Sequence, residues 1–274
     1  MGWQGAHPFL WSRFTLCLFS FLFLHGGFVF QNSLEPSPTS ERKGTPWMRP
    51  FTGGKGFIQH GTSSRKEPHR LVLGCFGISI LLSLGLIAIG GWNFLWIYSA
   101  SYILAYGYRT PPFQWAYRGL GELAIALLYG FLVTLAGYST QTHFLSGEIL
   151  WVGFSLTLFA IAVQCLNEFP DAEFDQAMGK RQGVVQLGKA RAARLFRWFF
   201  WIAYNWIALG VLAKIITPWA LLTFLTVPSS FKAIQGVQNH FFDTPQLAPF
   251  NNQVVRIYFT TALLFTISYL IESF

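Results

Sequence analysis

Four acidic residues fall within eight positions of a single segment: Glu168, Asp171, Glu173 and Asp175. The whole chain contains only eleven Asp and Glu, so a third of its acidic residues are concentrated there. Asn167, Asp171 and Asp175 recur at every fourth position, which predicts one face of a helix that Pro170 would bend. Two carboxylates and an amide oxygen are ligands that suit Mg²⁺, an ion usually shared with substrate phosphates.

Basic residues follow this acidic cluster directly. Six Lys and Arg lie between Lys180 and Arg197, and the first of them are the neighbours Lys180 and Arg181. Cations at this distance along the chain can hold the oxygens of a diphosphate. The acids and bases together predict a metal and diphosphate site, in which the catalytic side chains are Asp171, Asp175, Lys180 and Arg181. The alternative, a solvated helix end, requires no ligand at all.

The composition places this site in a membrane protein. The chain of 274 residues is 53% hydrophobic, 18% aromatic and only 11% charged, whereas soluble domains average about 25% charged residues. Several apolar blocks approach the roughly 20 residues that cross a bilayer as a helix. The eight blocks are Phe14–Phe30, Leu71–Ile89, Phe94–Tyr106, Leu120–Tyr138, Ile149–Leu166, Phe199–Ala213, Trp219–Val227 and Val254–Ile271. We therefore expect a single all-α domain over residues 1–274, a transmembrane helical bundle of about eight spans.

The basic residues indicate how this bundle lies in the bilayer. Of nineteen Lys and Arg, all but Arg13 and Lys214 fall in or beside alternate connections between the blocks. This distribution is typical of cytoplasmic loops. It predicts a multi-pass integral membrane protein with charged cytoplasmic segments at residues 31–70 and 167–197. The net charge of +8 is split among these loops, which argues against a nucleic acid partner.

Two further connections contain candidate substrate-binding residues. The first, "RPFTGGKGFIQHG", combines Arg49 and Lys55 with glycines that permit close backbone approach to a phosphate. The second, "YGYRTPPFQWAYRGLGELAI", contains Tyr108, Arg109, Arg118 and Glu122. Glu122 lies just inside an apolar block, where a carboxylate suggests function. An ion pair of Glu122 with Arg118 at the interface is the simpler alternative.

The segment "NEFPDAEFDQAMGKRQGVVQLG" resembles the second Asp-rich motif of the UbiA superfamily of intramembrane aromatic prenyltransferases. The two connections quoted above are similar to the branch that prenylates 1,4-dihydroxy-2-naphthoate for menaquinone. The resemblance implies a bundle of nine helices in a bacterial inner membrane, with a cavity that opens to lipid. It also implies Mg²⁺ as cofactor, and a polyprenyl diphosphate and an aromatic acceptor as substrates.

The resemblance assigns roles to matching residues of this chain. Asn167, Asp171 and Asp175 correspond to the metal and diphosphate positions, and Lys180 and Arg181 correspond to the basic pair beside them. A polar patch on the acceptor side corresponds to Arg118 and Glu122.

The chain departs from the family at the first Asp-rich motif. The spacing of that motif is reproduced by Gln31, Glu35 and Glu41, so that Glu35 and Glu41 are candidate metal ligands in place of Asp. One helix of the nine is also missing from our count. Two hypotheses follow: an active prenyltransferase, or an impaired homologue that keeps the fold and binds prenyl diphosphate without turnover. A transporter is a third, since helical bundles with polar residues also transport solutes.

Overall fold

The computed structural model describes residues 8–34, 66–142 and 144–272. These residues form helices, turns and connections, and no strand occurs among them. The predicted all-α fold is therefore confirmed. The helices are α1 (Trp11–Ser33), α2 (Lys66–Gly90), α3 (Trp92–Tyr106), α4 (Gly121–Ser139), α5 (Gly147–Glu168), α6 (Ala172–Ala177), α7 (Gly183–Leu187), α8 (Lys189–Leu212), α9 (Val227–His240) and α10 (Thr244–Glu272), with 3₁₀ helices at Trp115–Tyr117 and Pro218–Thr226.

The eight apolar blocks lie in helical structure, except for the end residues Leu120 and Ala213, which lie just outside α4 and α8. The helices α1, α2, α4, α5, α8 and α10 are long and apolar enough to cross a membrane. Of the other two blocks, Phe94–Tyr106 lies in α3, which has 15 residues, and Trp219–Val227 forms a 3₁₀ helix that continues directly into α9. A helix satisfies its own backbone N–H and C=O groups, as a hydrocarbon environment requires.

Apolar side chains cover much of the outside of the bundle as well as its core. Leu81 and Leu225, for example, are each 70% exposed. A large apolar surface of this kind is a liability in water and is expected where lipid replaces water. The surface therefore agrees with the membrane-spanning helices.

The end of α1 and the connections that follow α3 and α5 meet at one end of the bundle. Arg109 Nη1 donates a hydrogen bond to the carbonyl oxygen of Asn32 at 3.0 Å, which joins the end of α1 to the connection after α3. The amide of Arg181 donates to the carbonyl oxygen of Ala116 at 3.1 Å, which adds the connection after α5. We call this end of the bundle the carboxylate end.

Helix α5 lies at the centre of the bundle and packs against α4, α8 and α10. On the α8 side, the rings of Trp151 and Trp206 stack at 3.8 Å between centroids. Each of these indole N–H groups donates to the backbone carbonyl of the other residue, at 3.0 and 3.2 Å. On the α4 side, Gly130 lies so close to Thr157 that a Cβ atom would collide with the Thr157 backbone. Close contacts with two different helices thus fix the position of α5.

We predict that Gly130→Ala destabilises the protein, because its methyl group would force α4 and α5 apart. Overpacking of this kind typically costs about 1–3 kcal/mol. Gly137→Ala is the matched control on the same helix, since a Cβ there would meet nothing within 4 Å. Thermal unfolding of the purified protein in detergent measures both variants. A fall in the midpoint of the same size for both would contradict the close contact at Gly130.

Candidate functional site

A cavity of about 410 Å³ lies between α1, α4, α5 and α10 and extends to the carboxylate end. Most of its wall is apolar, and its polar side chains are grouped mainly towards the carboxylate end. The polar and aromatic residues that line it are His25, Phe28, Asn32, Tyr108, Arg109, Tyr129, Gln164, Asn167, Glu168, Asp171, Asp175, Lys180, Gln182, Tyr258 and Phe259.

The second Asp-rich segment reaches the cavity through a break in the helix, and not along one bent helix as we predicted. Helix α5 ends at Glu168 and α6 begins at Ala172, because Pro170 has no N–H to continue the helix. Asn167, Asp171 and Asp175 nevertheless all line the cavity. Asn167 is fixed further by α10, since its Oδ1 atom accepts a hydrogen bond from Asn251 Nδ2 at 2.7 Å.

Asp175 and Lys180 form an ion pair inside the protein. Lys180 Nζ lies 3.0 Å from Asp175 Oδ1, and the two side chains are only 3% and 5% exposed. The Lys180 amide also donates to the carbonyl oxygen of Asp175 at 2.9 Å. The neighbouring Arg181 is exposed and does not line the cavity. The structure thus separates the two basic residues that the sequence grouped together.

Tyr108 and Gln182 close the same end of the cavity. Gln182 Nε2 donates to the Tyr108 hydroxyl at 2.8 Å, and both residues are buried. Burial raises the pKa of the Tyr108 hydroxyl above its ordinary value, and the nearby Glu168 carboxyl raises that pKa further. The hydroxyl therefore remains protonated and can donate a hydrogen bond to a ligand in the cavity.

The end of α1 contributes a residue that our sequence analysis missed. Gln31 turns away from the cavity, because its Nε2 atom donates to the carbonyl oxygen of Tyr106 at 3.0 Å and to Thr110 Oγ1 at 2.8 Å. Asn32 lines the cavity instead. Its Oδ1 atom is buried and has no hydrogen-bond partner within the described residues. The cavity is therefore lined at the end of α1 by Asn32, and not by Gln31, which the motif spacing suggested.

Arg118 and Glu122, predicted to bind substrate, do not line the cavity. Arg118 is exposed, and its Nη2 atom donates to the Pro112 carbonyl oxygen at 2.7 Å. The Glu122 carboxylate accepts a hydrogen bond from the amide of Gly183, at the start of α7. Both residues thus hold connections that surround the cavity. These contacts also replace the alternative that the sequence left open, an ion pair of Glu122 with Arg118.

Several cavity residues were accessible to sequence reasoning but were overlooked. His25 and Gln164 are polar residues inside apolar blocks, which is itself a functional signal. His25 and Asn32 are seven residues apart, and therefore share a face of α1. Glu168 was noted only as part of the acidic cluster, and Gln182 has no signal of its own in the sequence. The candidates Glu35, Glu41, Arg49 and Lys55 lie outside the described residues.

The ligands that the cavity offers to a metal ion are carboxylate and amide oxygens. Asp171 and Asp175 are buried beside Asn167 and Asn32. Within the described ranges, no three His, Cys, Asp or Glu side chains gather as a metal site. Mg²⁺ does not need such a group, because it is usually bound by one or two carboxylates together with waters and substrate phosphates. The donor set therefore fits Mg²⁺ that is shared with a diphosphate.

Comparison with known proteins matches the family model "UbiA prenyltransferase family" to residues 54–248. The chain is 27% identical to 1,4-dihydroxy-2-naphthoate octaprenyltransferase of Bacillus subtilis over 187 residues, which cover 68% of this chain and 60% of the relative. It is 26% identical to 2-carboxy-1,4-naphthoquinone phytyltransferase of Synechocystis over 179 residues, which cover 65% and 58% of the two chains. The alignments thus span less than two thirds of these relatives.

The fold is also similar to a solved structure. An apo structure of a UbiA homolog from Aeropyrum pernix superposes with a TM-score of 0.71 at 15% sequence identity. The similarity covers 99% of this chain and 93% of the other. At this identity the match concerns the fold alone, and it supports the helical bundle described above.

We predict that Lys180→Met strongly destabilises the protein, because it leaves the buried Asp175 carboxylate without its cation. Loss of one partner of a buried pair costs about 3–5 kcal/mol. The control is Lys189→Met, which removes a pair at the same 3.0 Å distance from Glu173, a carboxylate that is 89% exposed. Exposed pairs contribute about 0–1 kcal/mol.

Thermal unfolding in detergent measures both variants, together with the double variant Asp175→Asn/Lys180→Met. The double variant should recover part of the lost stability, because the side chain at position 175 is then uncharged and no longer needs a cation. Equal effects of Lys180→Met and Lys189→Met would contradict a buried pair.

Proposed function

Because the chain belongs to the UbiA prenyltransferase family and is an integral membrane protein, we propose that it transfers a polyprenyl group from its diphosphate to an aromatic quinone precursor. The observation that carries this proposal is the convergence of Asp171, Asp175 and Lys180 at one end of a largely apolar cavity. Such a cavity accommodates both parts of a polyprenyl diphosphate, the charged head and the hydrocarbon chain.

The proposed acceptor is 1,4-dihydroxy-2-naphthoate, and the proposed pathway is menaquinone biosynthesis. The support comes from relatives whose names specify a naphthoate or naphthoquinone acceptor. A third such relative, from Escherichia coli, is 25% identical over 216 residues, which cover 77% of this chain and 70% of that protein.

The diphosphate would bind at the carboxylate end of the cavity. Lys180 and Arg109 provide cations that can contact its oxygens. Asp171 and Asp175, with Asn32 and Asn167, would hold Mg²⁺. When bound, Mg²⁺ neutralises the charge that develops on the departing diphosphate.

The walls of the cavity suit the allylic carbon from which the diphosphate departs. The ring of Phe28 lies edge-to-face with Tyr108 at 5.4 Å and with Tyr129 at 6.3 Å between centroids. Aromatic faces attract positive charge, so this wall can stabilise the carbon as it becomes cationic. The apolar lining also excludes water that would compete with the acceptor. As the bond between the allylic carbon and the diphosphate oxygen breaks, a carbon of the acceptor ring forms a bond to that allylic carbon. The ring carbon then loses the proton it carried, or its carboxylate as CO2, and the ring becomes aromatic again.

Five further residues that the sequence suggested are not among those that line the described cavity, and we propose roles for them as well. Arg49 and Lys55 would contact the diphosphate, and Glu35 and Glu41 would add metal ligands. Arg181 would assist from the exposed side. We further propose that the carboxylate end faces the cytoplasm of a bacterial inner membrane, since the basic residues gather in the connections at that end.

We predict that Asp171→Asn lowers prenyltransferase activity by roughly 100-fold or more, because it removes a charge that would hold the metal and diphosphate. Glu173→Gln is the control, since Glu173 is exposed and does not line the cavity. The assay measures lipid-soluble product in membranes supplied with labelled polyprenyl diphosphate, Mg²⁺ and dihydroxynaphthoate.

Absence of product from the unaltered protein with any aromatic acceptor would refute the proposed activity. If activity then appeared in the variant Glu35→Asp/Glu41→Asp, the chain would be the impaired homologue that the altered first motif suggests. An equal loss in Glu173→Gln would refute the particular role of Asp171.

A further inference from the structure

A second polar group lines the cavity further from the carboxylate end. His25 is seven residues before Asn32 on α1, which corresponds to about 10 Å along the helix axis. Tyr129 lines the cavity from α4 opposite it, and Gln164 lines it from α5. Polar side chains at this depth in a membrane protein are costly, and they often mark a functional site.

His25 and Tyr129 form a defined pair. The His25 Nδ1 atom lies 2.7 Å from the Tyr129 hydroxyl oxygen, and the two rings are nearly perpendicular, at 82°. The imidazole is exposed and lines the cavity, so it is held by one nitrogen while the rest of the ring remains accessible. A side chain packed for stability alone would bury this surface.

The backbone around Tyr129 is fixed in an unusual conformation. Leu127–Leu132 form a π-helical segment within α4, and such segments frequently occur at functional sites. Tyr258 on α10 donates a hydrogen bond from its hydroxyl to the Tyr129 carbonyl oxygen at 2.8 Å. The next residue, Gly130, is in close contact with Thr157 of α5. Three helices therefore position the hydroxyl that holds His25.

The hydrogen bond to Tyr129 also determines what His25 can offer to a ligand. The Tyr129 hydroxyl needs an acceptor at this apolar depth, and Nδ1 of a neutral imidazole provides one. We assign the tautomer accordingly, which leaves the proton on Nε2. His25 then presents a single N–H donor to the cavity. A ligand that matches this donor has an oxygen atom, which accepts the hydrogen bond, on a ring that is otherwise apolar.

We propose that His25, positioned by Tyr129, binds a ring oxygen of the aromatic acceptor, either a hydroxyl or a carboxylate oxygen. The inference rests on the proposed function and identifies where the second substrate binds. Arg118 and Glu122, which the sequence suggested for the acceptor side, are turned away from the cavity. The aromatic wall at Phe28 lies between the carboxylate end and His25. An acceptor bound at His25 would therefore meet the allylic carbon beside that wall.

The test is equilibrium binding of 1,4-dihydroxy-2-naphthoate to the purified full chain in lipid nanodiscs, without prenyl diphosphate and under anaerobic conditions. We expect His25→Leu to weaken binding at least 10-fold, as loss of a hydrogen bond to a charged or polar ring oxygen predicts. Tyr129→Phe should weaken it about 3-fold or more, because His25 loses its orientation. His25→Gln retains an N–H donor and should recover part of the affinity.

Tyr204→Phe is the matched control. It also removes a buried tyrosine hydroxyl, which bonds Thr226 and Ser230 at 2.7 and 2.8 Å, but Tyr204 does not line this cavity. It should leave naphthoate binding unchanged. Comparison of 1,4-dihydroxynaphthalene with the naphthoate then distinguishes a hydroxyl contact from a carboxylate contact, since only the naphthoate has a carboxylate.

The outcomes separate this inference from the proposed function. The inference is overturned if the unaltered protein does not bind the naphthoate, or if the His25 variants bind it as tightly as the unaltered protein. It is also overturned if Tyr204→Phe loses as much affinity as the His25 variants. Naphthoate binding that depends on His25, in a protein that forms no prenylated product, would support this inference and refute the enzymatic proposal. If His25→Leu does not fold, the affinities of His25→Gln and Tyr129→Phe for the naphthoate test the inference instead.

In an active enzyme the variants of His25 and Tyr129 should raise the KM for the acceptor and leave the KM for the prenyl diphosphate unchanged.

Discussion

A charge buried inside an apolar bundle is costly unless it is paired, and the pair of Asp175 and Lys180 meets this constraint within the described part of the chain. The Lys180 ammonium neutralises the Asp175 carboxylate where both are almost fully buried. Desolvation of such a pair is expensive, and its attraction offsets the cost only with close geometry and further hydrogen bonds. The backbone contact between the two residues supplies part of that geometry. The break after α5 and the two short helices that follow serve to bring these groups together at the bundle end.

Polar groups in and around the cavity are held by contacts between different helices and connections. Asn167 of α5 is held by Asn251 of α10, and the carbonyl oxygen of Asn32 on α1 accepts from Arg109 in the connection after α3. Glu122 of α4 holds the start of α7. Each contact satisfies a polar group that would otherwise be costly in this environment. The same contacts position the side chains that a ligand would meet, so stability and recognition depend on shared residues.

The cavity divides into two chemical regions joined by an aromatic wall. The carboxylate end suits a metal and a diphosphate, and the pair of His25 and Tyr129 suits an oxygen on an aromatic ring. Phe28 lies between them, in contact with Tyr108 on one side and Tyr129 on the other. This order follows from helix geometry, because residues seven apart on α1 share a face about two turns apart. Under the proposed function, this order would place the two substrates next to each other at the wall.

The sequence by itself determined the helical membrane bundle and the segment with the strongest chemistry. Long apolar blocks leave only helices as a satisfied backbone, and the spacing of Asn167, Asp171 and Asp175 survives the break at Pro170. Only the tertiary structure decided which of two adjacent residues in the chain lines the cavity. Lys180 and Asn32 enter it, whereas Arg181 and Gln31 do not. Adjacent residues in turns and helix ends point in different directions, and contacts with distant segments decide between them. Periodicity along the chain contains no information about such contacts.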